Sequence, residues 1–149
     1  MMKPEYVCEV ARLSDVDSWM KLVEEVKDDF PGLVLEDYRQ TLLKSVAGQN
    51  AVCVKYQNEV VGALLYSVEH KALFFMAVSS IHRRKGVATA LIEAMVNKFP
   101  KNSEVWVTTF REGDPKGRAS RELYKRLGFI EGELVIEFDY LVQRLVLYT

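Results

Sequence analysis

The residues with the most evident chemical potential form a basic turn in the middle of the chain. Residues 83–86 are Arg-Arg-Lys-Gly, and they follow an apolar, strand-like stretch at residues 72–78. Apolar residues recur at helical spacing from residue 87 onward, so Gly86 opens a predicted helix. The first N–H groups of a helix lack partners within it, and the helix dipole adds about half a positive charge, which favours phosphate. The pattern predicts an anion site, although a solvated basic loop has the same composition.

A short helix further along the chain carries a candidate acid. Residues 119–129 are Ala-Ser-Arg-Glu-Leu-Tyr-Lys-Arg-Leu-Gly-Phe, with Ser120 and Tyr124 four residues apart on one predicted helix face. A phenol can donate a proton to a leaving group. Two alternatives stay open, because a tyrosine between leucines also suits a core position and a helical serine commonly bonds its own backbone.

Together, these two segments resemble the GNAT acyltransferase superfamily. The signature of that family is Arg/Gln-x-x-Gly-x-Gly/Ala, then a strand, then a helix that ends in Leu-Tyr-x-x-x-Gly-Phe. Arg83, Gly86 and Ala88 occupy the three fixed positions of the first motif, and residues 123–129 match the second. The predicted order of strands and helices also matches, so the resemblance covers essentially the whole chain.

The resemblance implies that acetyl-CoA is the cosubstrate of an N-acetyltransferase and that backbone amides of residues 84–89 hold its pyrophosphate. It implies that the end of the strand at 72–78 pairs with the pantetheine arm and polarises the thioester carbonyl. It further implies that Tyr124 protonates the leaving thiolate. The implied cofactor-binding residues are Ala77, Val78, Arg83, Arg84, Lys85, Gly86, Val87, Ala88, Thr89 and Ser120.

The sequence departs from the family pattern at three positions. Gly117 stands where an asparagine often holds CoA, Ser120 replaces a common alanine, and Arg84 stands where glycine is frequent. The missing asparagine motivates a rival interpretation, a CoA-binding module without catalysis, although Tyr124 argues against it. A third interpretation is an interaction domain that keeps only the fold.

The acceptor and the general base are less well defined by the sequence. The resemblance places the acceptor, a small-molecule or peptide amine, near residues 28–35, the loop 110–117 and the C-terminal strands. Acidic residues in and beside the first region suggest a cationic amine, namely Asp28, Asp29, Glu36 and Asp37. Trp106 fits either the core or the acceptor pocket. No spacing selects a base among Glu24, Glu69, His70 and Glu104.

Composition excludes several other classes of function. The 20 basic and 21 acidic residues give a net charge of −1, which is unlike a dedicated nucleic-acid binder. His70 and His82 have no metal-ligand spacing, so no metal is expected. The two cysteines, Cys8 and Cys53, suit reduced thiols, and no signal peptide or membrane span is evident. We therefore expect a cytoplasmic protein.

Length and periodicity predict the elements that position these residues. A chain of 149 residues fits one domain over residues 1–149. Its pattern alternates in the order β-α-α-β-β-β-α-β-α-β-β, which predicts an α/β (α+β) fold with a mixed, mostly antiparallel sheet flanked by about four helices. The predicted strands are 6–11, 51–56, 60–68, 72–78 and 104–109, and the helices begin at Ser14 or span 36–47, 85–99 and a segment ending at Leu127. Residues 141–148 would leave an apolar edge, which suggests a homodimer.

Overall fold

The computed structural model describes residues 2–110, 113, 118–137 and 140–149, and its four α-helices and seven β-strands follow the predicted order. The helices are α1 (Val16–Val26), α2 (Leu35–Ala47), α3 (Val87–Val96) and α4 (Arg118–Arg126). The strands are β1 (Tyr6–Val10), β2 (Ala51–Tyr56), β3 (Glu59–Ser67), β4 (Ala72–Val78), β5 (Glu104–Phe110), β6 (Ile130–Glu137) and β7 (Tyr140–Tyr148). None of these helices has the length and hydropathy needed to cross a membrane.

The strands form one sheet in the order β1-β2-β3-β4-β5-β7-β6. Neighbouring strands are antiparallel except for β4 and β5, which are parallel because α3 connects them as a crossover. The prediction of a mixed, mostly antiparallel sheet flanked by about four helices is therefore confirmed.

The C-terminal strand lies inside the sheet. β7 pairs with β5 on one side and with β6 on the other. The expectation that residues 141–148 leave an apolar edge is therefore wrong, because the chain turns back after β6 and inserts its last strand. The outer strand is β6, which exposes Ile130, Leu134 and Ile136.

The two faces of the sheet carry separate cores. On one face, α1 and α2 bury Trp19, Leu22 and Leu42 against residues of β2, β3 and β4. On the other face, α3 packs Leu91 and Met95 into a core that also includes residues of α4, β5 and β7. The strands β2, β3 and β4 are therefore contacted by helices on both faces of the sheet.

β4 and β5 separate soon after they begin. In the described chain their ladder contains one pair, Ala72 with Trp106, and the Trp106 N–H donates to the Lys71 carbonyl at 2.8 Å. β4 nevertheless continues to Val78 and β5 to Phe110, so the facing backbone groups beyond that pair do not bond each other. We call this opening the β4–β5 gap.

Two helix boundaries differ from the sequence predictions. Ser14 lies within a 3-10 turn, Leu13–Asp15, and α1 begins at Val16. The Asp15 carboxylate, not the Ser14 hydroxyl, accepts the N–H of Arg12 at 2.8 Å. The third helix is shorter than the predicted 85–99, because its N-cap Gly86 takes a left-handed conformation that cannot continue the helix.

Candidate active site

The turn between β4 and α3 combines two left-handed residues. Gly86, the N-cap of α3, has φ +82°, and Arg84 has φ +62°. A side chain in this region costs about 1–2 kcal/mol, which glycine avoids. The turn therefore tolerates an arginine at position 84, where the family often has glycine, at the expense of backbone strain.

The start of α3 presents free hydrogen-bond donors. The first helical bond runs from the Ala90 N–H to the Gly86 carbonyl at 3.1 Å. The N–H groups of Val87, Ala88 and Thr89 have no acceptor among the described residues. Because Arg83, Arg84 and Lys85 are exposed beside them, this helix end is a positively polarised site for an anion.

Gly62 of β3 sets how closely α3 approaches the sheet. A Cβ at this position would lie 2.4 Å from the Val87 Cγ1 and 3.2 Å from the Leu91 Cδ1. Gly62 also pairs with Val78, the last residue of β4. Sequence analysis missed this residue, although a glycine inside a strand is itself a signal of close backbone approach.

Glu25 of α1 forms hydrogen bonds with the turn from the face of the sheet opposite α3. Its carboxylate accepts hydrogen bonds from the Ser80 N–H at 2.9 Å and the Ser79 hydroxyl at 3.0 Å. The backbone hydrogen bond from Ser80 is the main reason why the pKa of Glu25 lies below its usual range. Sequence analysis named only the neighbouring Glu24, as a candidate base, and both glutamates are exposed on this helix. Nothing in the sequence links Glu25 to residues 54 positions away.

His82 is held in an aromatic cluster beneath the turn. Its Nδ1 lies 2.8 Å from the Tyr6 hydroxyl, and its ring centroid lies 5.0 Å from that of Tyr56. Through these contacts, His82 attaches the turn to β1 and β2.

The described residues contain no group of three or more His, Cys, Asp or Glu side chains that could hold a metal.

Tyr124 lies in the core on the α3 and α4 face. Its side chain is 5% exposed, and its ring centroid is 5.5 Å from that of Phe129. It belongs to a core cluster that includes Val107 of β5 and against which Val78 of β4 packs. Burial raises the pKa of the Tyr124 phenol. No described residue hydrogen-bonds its hydroxyl, which remains available to a ligand.

A buried polar network fixes α4 against the last two strands. Arg121 donates to the Gln143 Oε1 at 2.7 Å and pairs with Glu131 at 3.0 Å. Gln143 in turn donates to the Gly132 carbonyl at 3.0 Å. Ser120 and Tyr124 are positioned by this network because they flank Arg121 on the same helix. Gly117 lies outside the described residues.

The β4–β5 gap contains a cavity of about 400 Å³. It is lined by Leu73 and Phe74 from β4, Thr108 from β5 and Glu137 from β6. The Thr108 hydroxyl donates to the Glu137 carboxylate at 3.1 Å. Trp106 lies two residues before Thr108 and is half-buried. We call this space the Glu137 cavity.

The residues named as candidate bases are exposed. Glu104 lies at the start of β5, and Glu69 and His70 lie in the turn before β4. The His70 ring centroid lies 6.1 Å from that of Phe74, a residue of the Glu137 cavity. Sequence analysis did not name Glu137.

The segment between α1 and α2 packs beside the same strand. Phe30 stacks on Phe75 of β4 with ring centroids 4.6 Å apart, and Asp28 and Asp29 are exposed on the adjoining 3-10 turn. This part of the predicted acceptor side therefore touches β4. The loop residues 111, 112 and 114–117 lie outside the described chain, and Gly113 is exposed.

The two thiols are poorly suited to act as nucleophiles. Burial raises the pKa of Cys53 to about 12, and burial also raises the pKa of Cys8. Both residues are free cysteines. A thiol reacts as its thiolate, and burial disfavours that form in both residues.

Comparison with known proteins supports the same family as the two motifs. The model of the acetyltransferase (GNAT) family matches residues 19–129. No curated protein matches the chain in sequence. Among solved structures, a GNAT-family acetyltransferase from Bacillus cereus is 20% identical, with 97% of both chains covered and a TM-score of 0.79.

Two further solved structures share the fold. A chain of the NatC complex bound to Gag peptide and CoA is 18% identical, with 100% of this chain and 99% of that chain covered and a TM-score of 0.74. The ribosomal-protein-S18-alanine N-acetyltransferase from Escherichia coli is 16% identical, with 95% and 90% covered and a TM-score of 0.70. The family model spans most of the sequence and includes the turn, β4, α3 and α4. The chain therefore belongs to the acetyltransferase (GNAT) family.

Proposed function

We propose that the protein is an acetyl-CoA-dependent N-acetyltransferase that acts on a primary amine by direct attack in a ternary complex. The observation that carries this proposal is the start of α3, where three N–H groups that find no acceptor in the described part of the chain lie beside three exposed basic side chains. A pyrophosphate satisfies such donors, and this donor set fits the cosubstrate that the family uses. NatC, which shares the fold, has been solved with CoA.

The proposed contacts with acetyl-CoA lie on the turn, on β4 and on α4. The amides of residues 84–89 hold the pyrophosphate, with Arg83, Arg84 and Lys85 adding charge. Backbone groups of Ala77 and Val78 pair with the pantetheine arm, because β4 has no β5 partner at that end. An N–H group there polarises the thioester carbonyl as negative charge develops on its oxygen. Ser120 contributes one further hydroxyl to the cofactor side.

In the proposed reaction, the neutral amine attacks the thioester carbon. The new C–N bond forms, the C–S bond breaks, and its electron pair leaves on sulfur, while the proton from nitrogen passes to a base or to water. The main contribution of the protein is to hold both reactants in one orientation. Because burial disfavours both thiolates, a cysteine-bound acyl group is not part of the mechanism.

The role of Tyr124 follows from its burial. A thiol has an ordinary pKa of about 8.5, whereas the pKa of Tyr124 is raised above the usual phenol value of about 10. The phenol is therefore protonated when the cosubstrate binds. As negative charge develops on sulfur, Tyr124 donates its proton to the departing thiolate, and the tyrosinate then regains a proton from water.

The acceptor is a small-molecule or peptide amine in this proposal. The Escherichia coli enzyme that shares the fold acetylates an alanine of a ribosomal protein, and NatC was solved with a peptide. We place the enzyme in the cytoplasm, which suits two free thiols. A homodimer through the exposed apolar side chains of β6 is part of the proposal, and light scattering across a concentration range tests it.

Calorimetric titration with acetyl-CoA tests the proposed function. We expect saturable binding by the natural protein and no measurable binding by Gly86→Glu, since the substitution adds a carboxylate and strains the left-handed N-cap. Circular dichroism checks that the variant folds. Failure of the natural protein to bind contradicts the proposal. Binding without acetyl transfer to any amine in a broad screen would leave only the CoA-binding module.

A further inference from the structure

The Glu137 cavity contains a carboxylate that lacks a cationic partner. β6 carries three glutamates, and two of them are neutralised. Glu131 pairs with Lys125 at 2.6 Å and with Arg121 at 3.0 Å, and Glu133 pairs with Arg144 at 3.0 Å. Among the described residues, no basic side chain lies within 4 Å of the Glu137 carboxylate, which receives only the Thr108 hydroxyl.

The position of Glu137 is imposed by a long-range contact. Its strand is separated from β5 by β7, yet the Glu137 carboxylate reaches a residue of β5 at 3.1 Å. The hydrogen bond from Thr108 fixes one carboxylate oxygen in the β4–β5 gap. The other oxygen has no partner among the described residues and can accept a hydrogen bond from a ligand.

Two of the residues that line the cavity are apolar and can contact the hydrocarbon part of a ligand. Leu73 is buried, and Phe74 is 63% exposed although it is a large aromatic residue. A pocket that places apolar side chains beside one charged group can hold a small organic cation. Phe74 lies four residues before Val78 on β4, which corresponds to about 13 Å along the strand. The cavity is thus within reach of an acceptor that extends toward the end of β4.

We propose that the Glu137 cavity binds the aliphatic chain of the acceptor and that Glu137 accepts a hydrogen bond from an ammonium group at the end of that chain remote from the attacking amine. This inference rests on the proposed function, and it names the acceptor class as an aliphatic diamine, one end of which stays cationic. Leu73 and Phe74 contact its methylene groups. Thr108 is a positioning residue, because it acts through Glu137. The exposed Asp28 and Asp29 beside β4 add negative charge to the same side.

The test uses two probes that differ in charge, 1,5-diaminopentane and 1-pentanol. Amide resonances of the ¹⁵N-labelled natural protein are followed during titration with each compound. We expect saturable shifts at Phe74, Thr108 and Glu137 with the diamine, and binding of the alcohol at least tenfold weaker. Equal affinity for the two probes, or no saturable shift at these residues up to about 50 mM diamine, would overturn the proposal.

Variants on β5 and β6 separate the effect of the Glu137 charge on diamine binding from the effect of a change in structure. Glu137→Gln keeps the shape of the side chain and is expected to weaken diamine binding at least tenfold. Glu133→Gln removes a charge four residues away and should leave diamine affinity unchanged. Thr108→Val, which removes the hydroxyl that positions Glu137, should weaken it about threefold. Equal diamine affinity in the natural protein and Glu137→Gln would refute the assignment.

Acetyl-CoA titration of the same samples distinguishes this proposal from the proposed function. We expect Glu137→Gln to bind acetyl-CoA as the natural protein does, because residue 137 is not among the groups assigned to the pyrophosphate. A natural protein that binds the diamine but not acetyl-CoA would overturn the proposed function alone. One that binds acetyl-CoA but not the diamine would overturn only the acceptor class.

Discussion

The proposed cosubstrate side and the proposed acceptor side of the β4–β5 gap are held by different kinds of contact. The turn before α3 follows directly in sequence from β4, and it is contacted by Glu25, His82 and the closely packed Gly62. The proposed acceptor side is assembled from three strands, and a hydrogen bond joins its residues Thr108 and Glu137, 29 residues apart. A compact, braced loop suits a cosubstrate of constant structure, whereas a cavity built from several strands can change its specificity one residue at a time.

The largest effect expected on the cosubstrate side comes from Tyr124→Phe. Loss of the hydroxyl removes the proton donor for the departing thiolate, so we expect kcat to fall about 10²-fold while the Kd for acetyl-CoA stays unchanged. Steady-state kinetics and calorimetry on the same preparation measure both quantities. Full activity in this variant would show that Tyr124 is only a core aromatic.

Gly62→Ala tests whether close packing positions the turn. The added methyl group overlaps the Val87 side chain, and overpacking of this kind costs about 1–3 kcal/mol. We expect a lower melting temperature and weaker acetyl-CoA binding, with diamine shifts at the Glu137 cavity unchanged. Gly48→Ala is the matched control, since its new Cβ would meet its nearest neighbour at 3.4 Å. Equal behaviour of the two variants would refute the role assigned to Gly62.

The variants Glu25→Gln and Glu24→Gln compare two adjacent glutamates of α1. The first substitution weakens the charge-assisted hydrogen bonds to Ser79 and Ser80, and we expect acetyl-CoA affinity to fall about threefold. Glu24→Gln should have no effect, because the Glu24 carboxylate has no hydrogen bond or ion pair among the described residues. If both variants bind acetyl-CoA with the same affinity, the hydrogen bonds of Glu25 do not shape the turn.

The lowered pKa of Glu25 adds a pH dependence to this comparison. A carboxyl group whose pKa is lower in the folded state stabilises the fold above its unfolded value of about 4.3, and this contribution is lost as the pH falls through the folded value. The difference in melting temperature between the natural protein and Glu25→Gln should therefore shrink below about pH 4. A constant difference across that range would argue against the hydrogen bonds as its source.

The smallest expected effect is that of Arg84→Gly. Glycine relieves the left-handed strain of about 1–2 kcal/mol but makes the unfolded chain more flexible, which leaves a net stabilisation of about 0.5–1 kcal/mol. The variant also loses one positive charge, so acetyl-CoA affinity should fall a few fold. Thermal denaturation would show the gain in stability, and calorimetry would show the loss of acetyl-CoA affinity. A lower melting temperature would contradict the strain argument.

The sequence predicted local features better than distant contacts. The change from alternating to helical periodicity at Gly86 located β4, the turn and α3, because each depends on neighbouring residues. Gly62, Glu25 and Glu137 went unrecognised, since their partners are 25 to 55 residues away and no local pattern marks them. The insertion of β7 between β5 and β6 was also missed, because strand-forming residues continue through residues 129–148 without a clear boundary.

The central claim is that the free amides at the start of α3 hold the pyrophosphate of acetyl-CoA. The most direct test follows the ¹⁵N amide resonances of Val87, Ala88 and Thr89 during titration with acetyl-CoA. The account predicts that these three resonances show large, saturable shifts, that inorganic pyrophosphate alone shifts the same three, and that Gly86→Glu abolishes both effects. Acetyl-CoA binding that leaves these amides unshifted would contradict it.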